Sequence, residues 1–152
     1  MNSNLETLQR SIYETVRDRQ ELNGIPVINS HPDDLSSQIQ WLTAQPLGLS
    51  ISILPPKLTQ LKNNLALPLD GEVECTIRIL EDLYTNRSGK SAIEVGEFLL
   101  QLLNGRSLAG NALTFSLMAK TNSPWALKED FPNDSKILLE LTFTTTLTLA
   151  EF

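Results

Sequence analysis

The chain has 152 residues and a formal net charge of −6, from 12 lysines and arginines against 18 aspartates and glutamates. The length predicts one domain over residues 1–152, and a domain of this size buries roughly 70% of the surface that its unfolded chain exposes. The negative charge argues against a nucleic-acid partner, because a sequence-blind nucleic-acid binder needs cationic surface to displace counterions from phosphates. No apolar run reaches the roughly 18 residues of a membrane-spanning helix, and the N-terminus is too polar for a secretory signal, so we expect folding in a cytosol.

The first predicted element is an amphipathic helix over about residues 4–22. Ser3 and Glu6 fit a capping box, in which the serine hydroxyl accepts a backbone N–H and the glutamate reaches back. Asn23 and Gly24 are typical of a helix stop. The apolar positions at helical spacing are Leu5, Leu8, Ile12 and Val16.

A second, shorter helix is predicted at residues 35–42, after a short extended piece and a turn. Asp33 or Asp34 would cap this helix. Its inward positions would be Leu35, Ile39 and Leu42.

Two strands are predicted in the middle of the chain. From Leu49 the apolar period changes to two, because Ile51 and Ile53 alternate with serines. Residues 72–79 alternate more clearly, so one face of that strand is apolar and the other polar. The apolar face carries Val73, Cys75, Ile77 and Ile79. The leucine-rich stretch of residues 55–70 between the strands is interpreted as a connecting arm with at most one helical turn.

The C-terminal half predicts one helix and two further strands. The helix covers the apolar positions from Ala92 to Leu103 and stops at Asn104 and Gly105. A strand follows at residues 113–117, and an irregular segment at residues 119–136 leads to the last and longest strand, residues 137–149. The order of elements predicts an α+β fold with a mainly antiparallel sheet and helices packed on one face.

The sequence Gly89-Lys90-Ser91, between a strand and a helix, raises the possibility of a phosphate-binding loop. Such a loop has the pattern GxxxxGK[ST], in which glycines let backbone N–H groups surround phosphate oxygens. Here Tyr84 occupies the position of the first glycine, and the neighbouring strand is half polar, unlike the buried parallel strands that carry such loops. We therefore interpret Asn86 or Ser88 as the helix cap and Lys90 and Ser91 as residues of its solvated first turn.

No other set of residues predicts catalysis, a cofactor or a metal. His31 is the single histidine and falls in a predicted turn, and adjacent Asp33 and Asp34 are more typical of a helix cap than of a cation site. Cys75 is the single cysteine, so it forms no disulfide within the chain and lacks the partners of a zinc site. Its strand face predicts a small core residue.

The last strand is unusually long. Thirteen residues, 137–149, extend about 43 Å at roughly 3.3 Å each, whereas strands commonly span about 17–20 Å. We expect this strand to outrun its own sheet and to join a neighbouring subunit by its edge or end, because free strand edges are either blunted or used for pairing. A strongly bent strand that crosses two sheet corners is the alternative.

Apolar side chains in segments without clear periodicity are candidate contacts between subunits. Aromatic residues bury much area with few rotatable bonds, which suits an interface anchor, although they can equally pack under their own loop. The polar row of the last strand is added as the side that faces away from the core. The predicted contact residues are Trp125, Phe131, Glu140, Thr142, Thr144, Thr146, Thr148, Leu58 and Leu61.

Several segments in this order are familiar: an N-terminal amphipathic helix, then GLSISILPP, GEVECTIRIL, SAIEVGEFLLQLLNG, the SPWALKEDF loop and the final KILLELTFTTTLTL. Over nearly the whole chain, this order resembles the tail terminator, or tail completion, proteins of long-tailed bacteriophages and of phage-tail-like contractile particles. The resemblance implies an α+β subunit that forms a hexameric ring on the tail tube, stops tube polymerisation and presents a surface to the head, neck or sheath. It also implies no catalytic residues, and a location in the cytoplasm of the producing bacterium and then in the assembled tail.

Three other functions are kept as alternatives. One is a head-tail connector or minor tail protein of similar fold. Another is a nucleotide-binding domain that uses Lys90 and Ser91. The third is an adaptor that binds a peptide along the free edge of the last strand.

Overall fold

The computed structural model describes residues 3–29, 47–62, 69–110, 113–128 and 135–149. The predicted second helix, His31, the Asp33-Asp34 pair and Phe131 lie outside these residues. The helices are α1 (Asn4–Arg17) and α2 (Ala92–Leu103), and no described helix is long and apolar enough to cross a membrane. The strands are β1 (Val27–Asn29), β2 (Leu49–Ile53), β3 (Lys57–Leu61), β4 (Asp70–Asp82), β5 (Ser107–Gly110), β6 (Leu113–Ser116), β7 (Met118–Ala119), β8 (Trp125–Lys128) and β9 (Lys136–Thr148).

The N-terminal helix is shorter than the predicted span of residues 4–22. Ser3 caps it as expected, since its hydroxyl accepts the backbone N–H of Glu6 at 3.3 Å. The α-helix ends at Arg17, and a separate 3₁₀ turn follows at Gln20–Leu22. The helical spacing of the apolar residues stops at Val16, so buried Leu22 reaches the core only because the chain changes direction after α1.

The described strands of the main sheet follow the order β1-β2-β4-β9-β7, with β3 also paired to β4 and β8 also paired to β9. Every pair in it is antiparallel except β1–β2. β2 and β3 therefore pair with the same edge of β4. β7 and β8 pair with the edge of β9 that faces away from β4, which we call its outer edge. The α+β fold with a mainly antiparallel sheet is as predicted.

The last strand does not outrun its sheet, so that expectation was wrong. β4 pairs with β9 along its whole length, from Asp70 opposite Thr148 to Asp82 opposite Lys136. Polar residues at both ends of β4 interrupt the apolar alternation, so the sequence pattern indicated only part of this strand. β7 and β8 pair with part of the opposite edge of β9, so the free part of that edge is shorter than the strand itself.

Both described helices contribute to one hydrophobic cluster on a single face of the sheet. On that face, the register sets Ile51 opposite Ile79, Ile79 opposite Leu139 and Ile77 opposite Leu141. Thr145, opposite Val73, is the polar residue in this apolar row and is 8% exposed. Packing of the helices on one face agrees with the sequence interpretation.

Trp125 lies in a strand rather than in the predicted irregular segment. It begins β8, is partly buried and packs against the core beneath α2. A Cβ added to Gly96 of α2 would stand 2.9 Å from the indole ring and 2.4 Å from Leu139 Cδ2, so the absence of a side chain there permits close contact of helix and sheet.

The arm between β2 and β4 also contains an unpredicted strand. β3 pairs with Gly71–Glu74 of β4, and a β-bulge at Thr59 interrupts its register. The bulge places Leu58 and Leu61, three positions apart, on the same face, and that spacing conceals the strand in the sequence. Between α2 and β7, β5 and β6 form a separate two-stranded hairpin that packs beside α1.

Candidate assembly surface

The face of the sheet opposite the two described helices is polar along β4 and β9. The register places Arg78 opposite Glu140, Thr76 opposite Thr142, Glu74 opposite Thr144, Glu72 opposite Thr146 and Asp70 opposite Thr148. We call these ten residues the polar face. They form a regular array of charged groups and hydroxyls because side chains alternate strictly along a strand.

Ion pairs fix the polar face to the strands at its margin. Glu140 lies 3.5 Å from Arg78 and 3.6 Å from Lys128 of β8, and its side chain is 21% exposed. Lys120, just after β7, lies 3.0 Å from Glu74. The charge of Glu140, a predicted contact residue, is thus balanced largely within the subunit.

A groove of about 470 Å³ crosses the other half of the polar face. Glu72, Glu74 and residues 144–146 line its floor, and Thr59 and Met118 stand at its two sides. Carboxylates and hydroxyls of this kind form hydrogen bonds with polar groups of another protein. In the described residues, no three histidine, cysteine, aspartate or glutamate side chains come together as a metal site.

Two strand edges at this end of the sheet have no described strand hydrogen-bonded to them. β3 pairs with β4 alone, and the pairing of β9 with β7 and β8 ends at Thr144. Between β7 and β8, Thr142 donates to Pro124 O at 3.0 Å and accepts from the Lys120 N–H at 2.9 Å. Beyond Thr144 this edge of β9 has no paired strand among the described residues, but α1 and β6 lie close to it, and Asn4 Nδ2 donates to Thr148 O at 2.6 Å.

The β3 strand is exposed along its whole length. Leu58 is 36% exposed and Leu61 is 50% exposed, on the face that elsewhere forms the core. Leucines on an edge strand are unusual, because edge strands of proteins that stay monomeric are commonly protected by charges or bulges. Lys57, Lys62 and the bulge at Thr59 supply some of that protection.

The loop that carries Gly89-Lys90-Ser91 already holds an anionic group of the chain itself. The Glu81 carboxylate, 6% exposed, accepts the first helical N–H of α2 from Ala92 at 2.9 Å and the Asn86 amide at 2.7 Å. Ser91 is the helix cap and accepts the Glu94 N–H at 3.1 Å, which corrects the predicted cap at Asn86 or Ser88. A phosphate at this helix N-terminus would meet the Glu81 charge, so the arrangement disfavours nucleotide binding.

Two further groups that could carry chemistry, the Cys75 thiol and the Asp82–Lys136 pair, have structural roles. Cys75 is 2% exposed in the core, and burial raises the pKa of its thiol to about 12, with a smaller contribution from Glu74. Asp82 and Lys136 form a buried ion pair at 3.4 Å, where β4 ends and β9 begins. Cys75 is thus a small core residue, as predicted.

No protein-family model matches the sequence, and no curated protein matches it. Among solved structures, this chain is similar to a chain in the virion of a native gene transfer agent (GTA) particle, with a TM-score of 0.67 and 14% sequence identity. The two chains share a fold. The alignment covers 94% of this chain and 95% of the virion chain, so almost nothing of either lies outside the likeness.

Within this shared fold, the predicted contact residues that the structure describes fall into four groups. Thr144 and Thr146 line the groove and Thr148 ends β9, whereas Leu58 and Leu61 lie on the exposed edge of β3. Glu140 and Thr142 lie where the outer edge of β9 is already paired, and Trp125 packs under α2.

Sequence reasoning did not single out Met118 or Tyr84 as exposed side chains. Met118 is 52% exposed at the rim of the groove, and Tyr84 is 86% exposed in the turn after β4. Tyr84 could have been noticed as an aromatic residue in a polar turn, whereas nothing near Met118 in the sequence marks it.

Proposed function

We propose that the chain is a structural assembly protein of a phage-tail-like particle, with the role of a tail terminator. In this proposal, identical copies form a hexameric ring that caps the tail tube and stops its polymerisation. The opposite side of the ring faces the head or neck, or the last ring of a sheath where the tail contracts. Its partners are other copies of itself and tail proteins, with no nucleic acid or membrane.

The shared fold with a virion chain is the observation that carries the proposal. The likeness extends over 94% of this chain, although the sequences are only 14% identical. Function does not follow from fold alone. The order of elements, which resembles tail terminators, and the open strand edges point independently to the same role.

The exposed edge of β3 and the far side of β9 suit a ring because they are different surfaces on opposite sides of one sheet. A ring of identical subunits is built from a heterologous contact, in which one surface of each subunit meets a different surface of the next. In the sheet order, the edge of β3 and the edge of β9 are separated by β4 and β9. Exposed Leu58 and Leu61 give the first surface apolar area to bury.

A structural role also accounts for how the polar side chains are used. The Glu81 carboxylate accepts a hydrogen bond at the N-terminus of α2, and Cys75 packs in the core. Glu140 forms ion pairs with Arg78 and Lys128 of the same subunit. These interactions stabilise the fold. We therefore propose that the protein is not an enzyme.

The experiment that tests the proposal measures assembly directly. Native mass spectrometry of the full chain, over protein concentrations from about 1 µM to hundreds of µM, is expected to show one closed oligomer of defined size, and electron microscopy is expected to show rings. A strict monomer at the highest concentration, with tail-tube protein present, would refute the proposal. A ring located between head and tail, away from the end of the tube, would favour a connector.

A further inference from the structure

The tripeptide Leu-Asn-Gly occurs twice in the chain, at residues 22–24 and 103–105, and asparagine precedes glycine nowhere else in the sequence. Asparagine in this setting reacts spontaneously, because glycine has no side chain to block the approach of its backbone nitrogen to the asparagine Cγ. The nitrogen forms a bond to Cγ, and the side-chain amide leaves as ammonia with the proton of the glycine N–H. Water then opens the resulting succinimide at one of its two carbonyls, which gives aspartate or isoaspartate.

The two asparagines have nearly the same backbone conformation. Asn23 has a φ of −56° and a ψ of 131°, and Asn104 has a φ of −66° and a ψ of 122°. The following glycine has a φ of 84° at Gly24 and of 75° at Gly105, so both tripeptides form type II turns. Ring closure swings the glycine nitrogen toward the asparagine Cβ, so ψ must change and the hydrogen bonds of the turn must break first.

At Asn104 the fold holds the reacting atoms in place. Gly105 donates its N–H, which carries the reacting nitrogen, to Leu117 O at 2.7 Å. Asn104 Oδ1 accepts the Ala119 N–H at 2.8 Å. Both hydrogen bonds connect the end of α2 to the segment that enters β7, and both oppose the rotation that ring closure needs.

At Asn23 the corresponding atoms are not held. Neither the Asn23 side chain nor the Gly24 N–H has a hydrogen-bond partner in the part of the chain that the structure describes. The turn itself is closed by the Ile25 N–H, which donates to Leu22 O at 3.0 Å. The other turn has an equivalent bond at the same distance, from the N–H of residue 106 to the carbonyl of residue 103. The two turns therefore differ by the two hydrogen bonds that Asn104 and Gly105 make to the neighbouring segment.

We propose that Asn23 is a site of spontaneous deamidation and isomerisation, and that Asn104, in the same tripeptide, is protected by the fold. Each additional hydrogen bond changes the equilibrium of opening by a factor of about 2–10, so the two bonds slow the reaction at Asn104 by about 4- to 100-fold. The proposal does not depend on the ring.

Isoaspartate at position 23 adds a methylene group to the main chain between two core residues. Leu22 is 3% exposed and Ile25 is 7% exposed. Ile25 leads into β1, where Pro26 O accepts the Ile51 N–H of β2 at 2.9 Å. We expect the longer chain to weaken this junction, so the Ile51 amide exchanges its hydrogen severalfold faster in the isoaspartyl form than in the fresh protein.

Peptide mapping by mass spectrometry, after incubation of the full chain in mildly alkaline buffer, tests the site. While the chain is folded, the peptide that contains Asn23 is expected to convert from amide to acid at least fourfold faster than the peptide that contains Asn104. In urea that unfolds the protein, the two rates are expected to agree within twofold, because both asparagines lie in Leu-Asn-Gly. Asn23→Gln is the control, since glutamine closes a six-membered ring far more slowly, and it is expected to remove the conversion at that site and to leave Asn104 unchanged.

Several outcomes would overturn the proposal. Equal rates in the folded chain, faster conversion of Asn104, or conversion of neither asparagine would each contradict it. A difference that persists in urea would assign the selectivity to the residues that follow each glycine and not to the fold. An isoaspartyl form with unchanged exchange at Ile51 would refute the effect on β1.

Discussion

Cys75 illustrates how burial of one titratable residue links stability to pH. Burial raises the pKa of its thiol from 9.0 to about 12. Between these values the unfolded thiol ionises while the folded thiol keeps its proton, so stability falls as the pH rises through this window. Compared with Cys75→Ala, the wild-type protein is expected to lose at most about 1.4 kcal/mol of unfolding free energy per pH unit above pH 9. Urea unfolding at pH 8 to 11 measures this difference, and a constant difference would contradict the prediction.

Gly96 is a second residue whose effect depends on its neighbours. Glycine within an exposed helix is less stable than alanine, so Gly96→Ala would ordinarily stabilise α2 by about 1 kcal/mol. Here the new Cβ would meet Leu139 Cδ2 at 2.4 Å and Trp125 at 2.9 Å. We expect destabilisation of about 1–3 kcal/mol instead, as for other overpacked cores, measured by chemical unfolding. A variant as stable as the wild type would show that helix and sheet can separate at no cost.

At the scale of elements, the N-terminus of α2 provides the test against nucleotide binding. The Glu81 carboxylate accepts the Ala92 N–H, and Ser91 accepts the Glu94 N–H, so these donors are unavailable to a phosphate. We expect millimolar Mg-ATP to leave the melting temperature of both wild type and Lys90→Ala unchanged. Glu81→Gln, in contrast, is expected to lower stability by about 1–3 kcal/mol, because a buried charge-assisted hydrogen bond is weakened. An ATP-dependent shift that Lys90→Ala abolishes would restore the nucleotide-binding alternative.

The elements that the sequence predicted are those whose periodicity is long enough to be unambiguous. The two described helices, β2 and the alternating part of β4 were visible because apolar residues repeat over several turns or pairs. β3, β7 and β8 were not, since β7 has only two residues and neither β3 nor β8 shows a clear alternation of apolar and polar residues. The bulge at Thr59 also removed the alternation that would have indicated β3.

At the scale of the whole molecule, the candidate surface was predicted in part for the same reason. The threonine row of β9 follows from strict alternation, and the sequence identified it. Which of its members stand beside an open edge depends on where β7 and β8 end, and tertiary pairing decides this. Sequence alone therefore grouped Thr142 with Thr146, although the outer edge of β9 is paired at Thr142 and open, among the described residues, beside Thr146.

Assembly of the whole molecule is expected to depend on charge at the groove. Glu72 is exposed at the groove with no ion pair among the described residues, and β3 carries the exposed Lys57 and Lys62. If these groups meet between neighbouring subunits, Glu72→Lys turns an attraction into a repulsion at every contact of the ring. Exposed ion pairs contribute about 0.2–1 kcal/mol each, so roughly a 1.4- to fivefold loss of affinity per contact is expected for loss of the pair, and more where repulsion replaces it. Combining Glu72→Lys with Lys57→Glu and Lys62→Glu should restore assembly, because the signs are exchanged. Glu97→Lys, an equal charge change on the exposed face of α2, is the control. Sedimentation on dilution at 50 and 300 mM salt measures the assembly of the wild type, Glu72→Lys, the charge-exchanged variant and Glu97→Lys. Equal weakening by Glu97→Lys, or no rescue by the exchanged charges, would show that assembly depends on net charge and not on pairing of these groups.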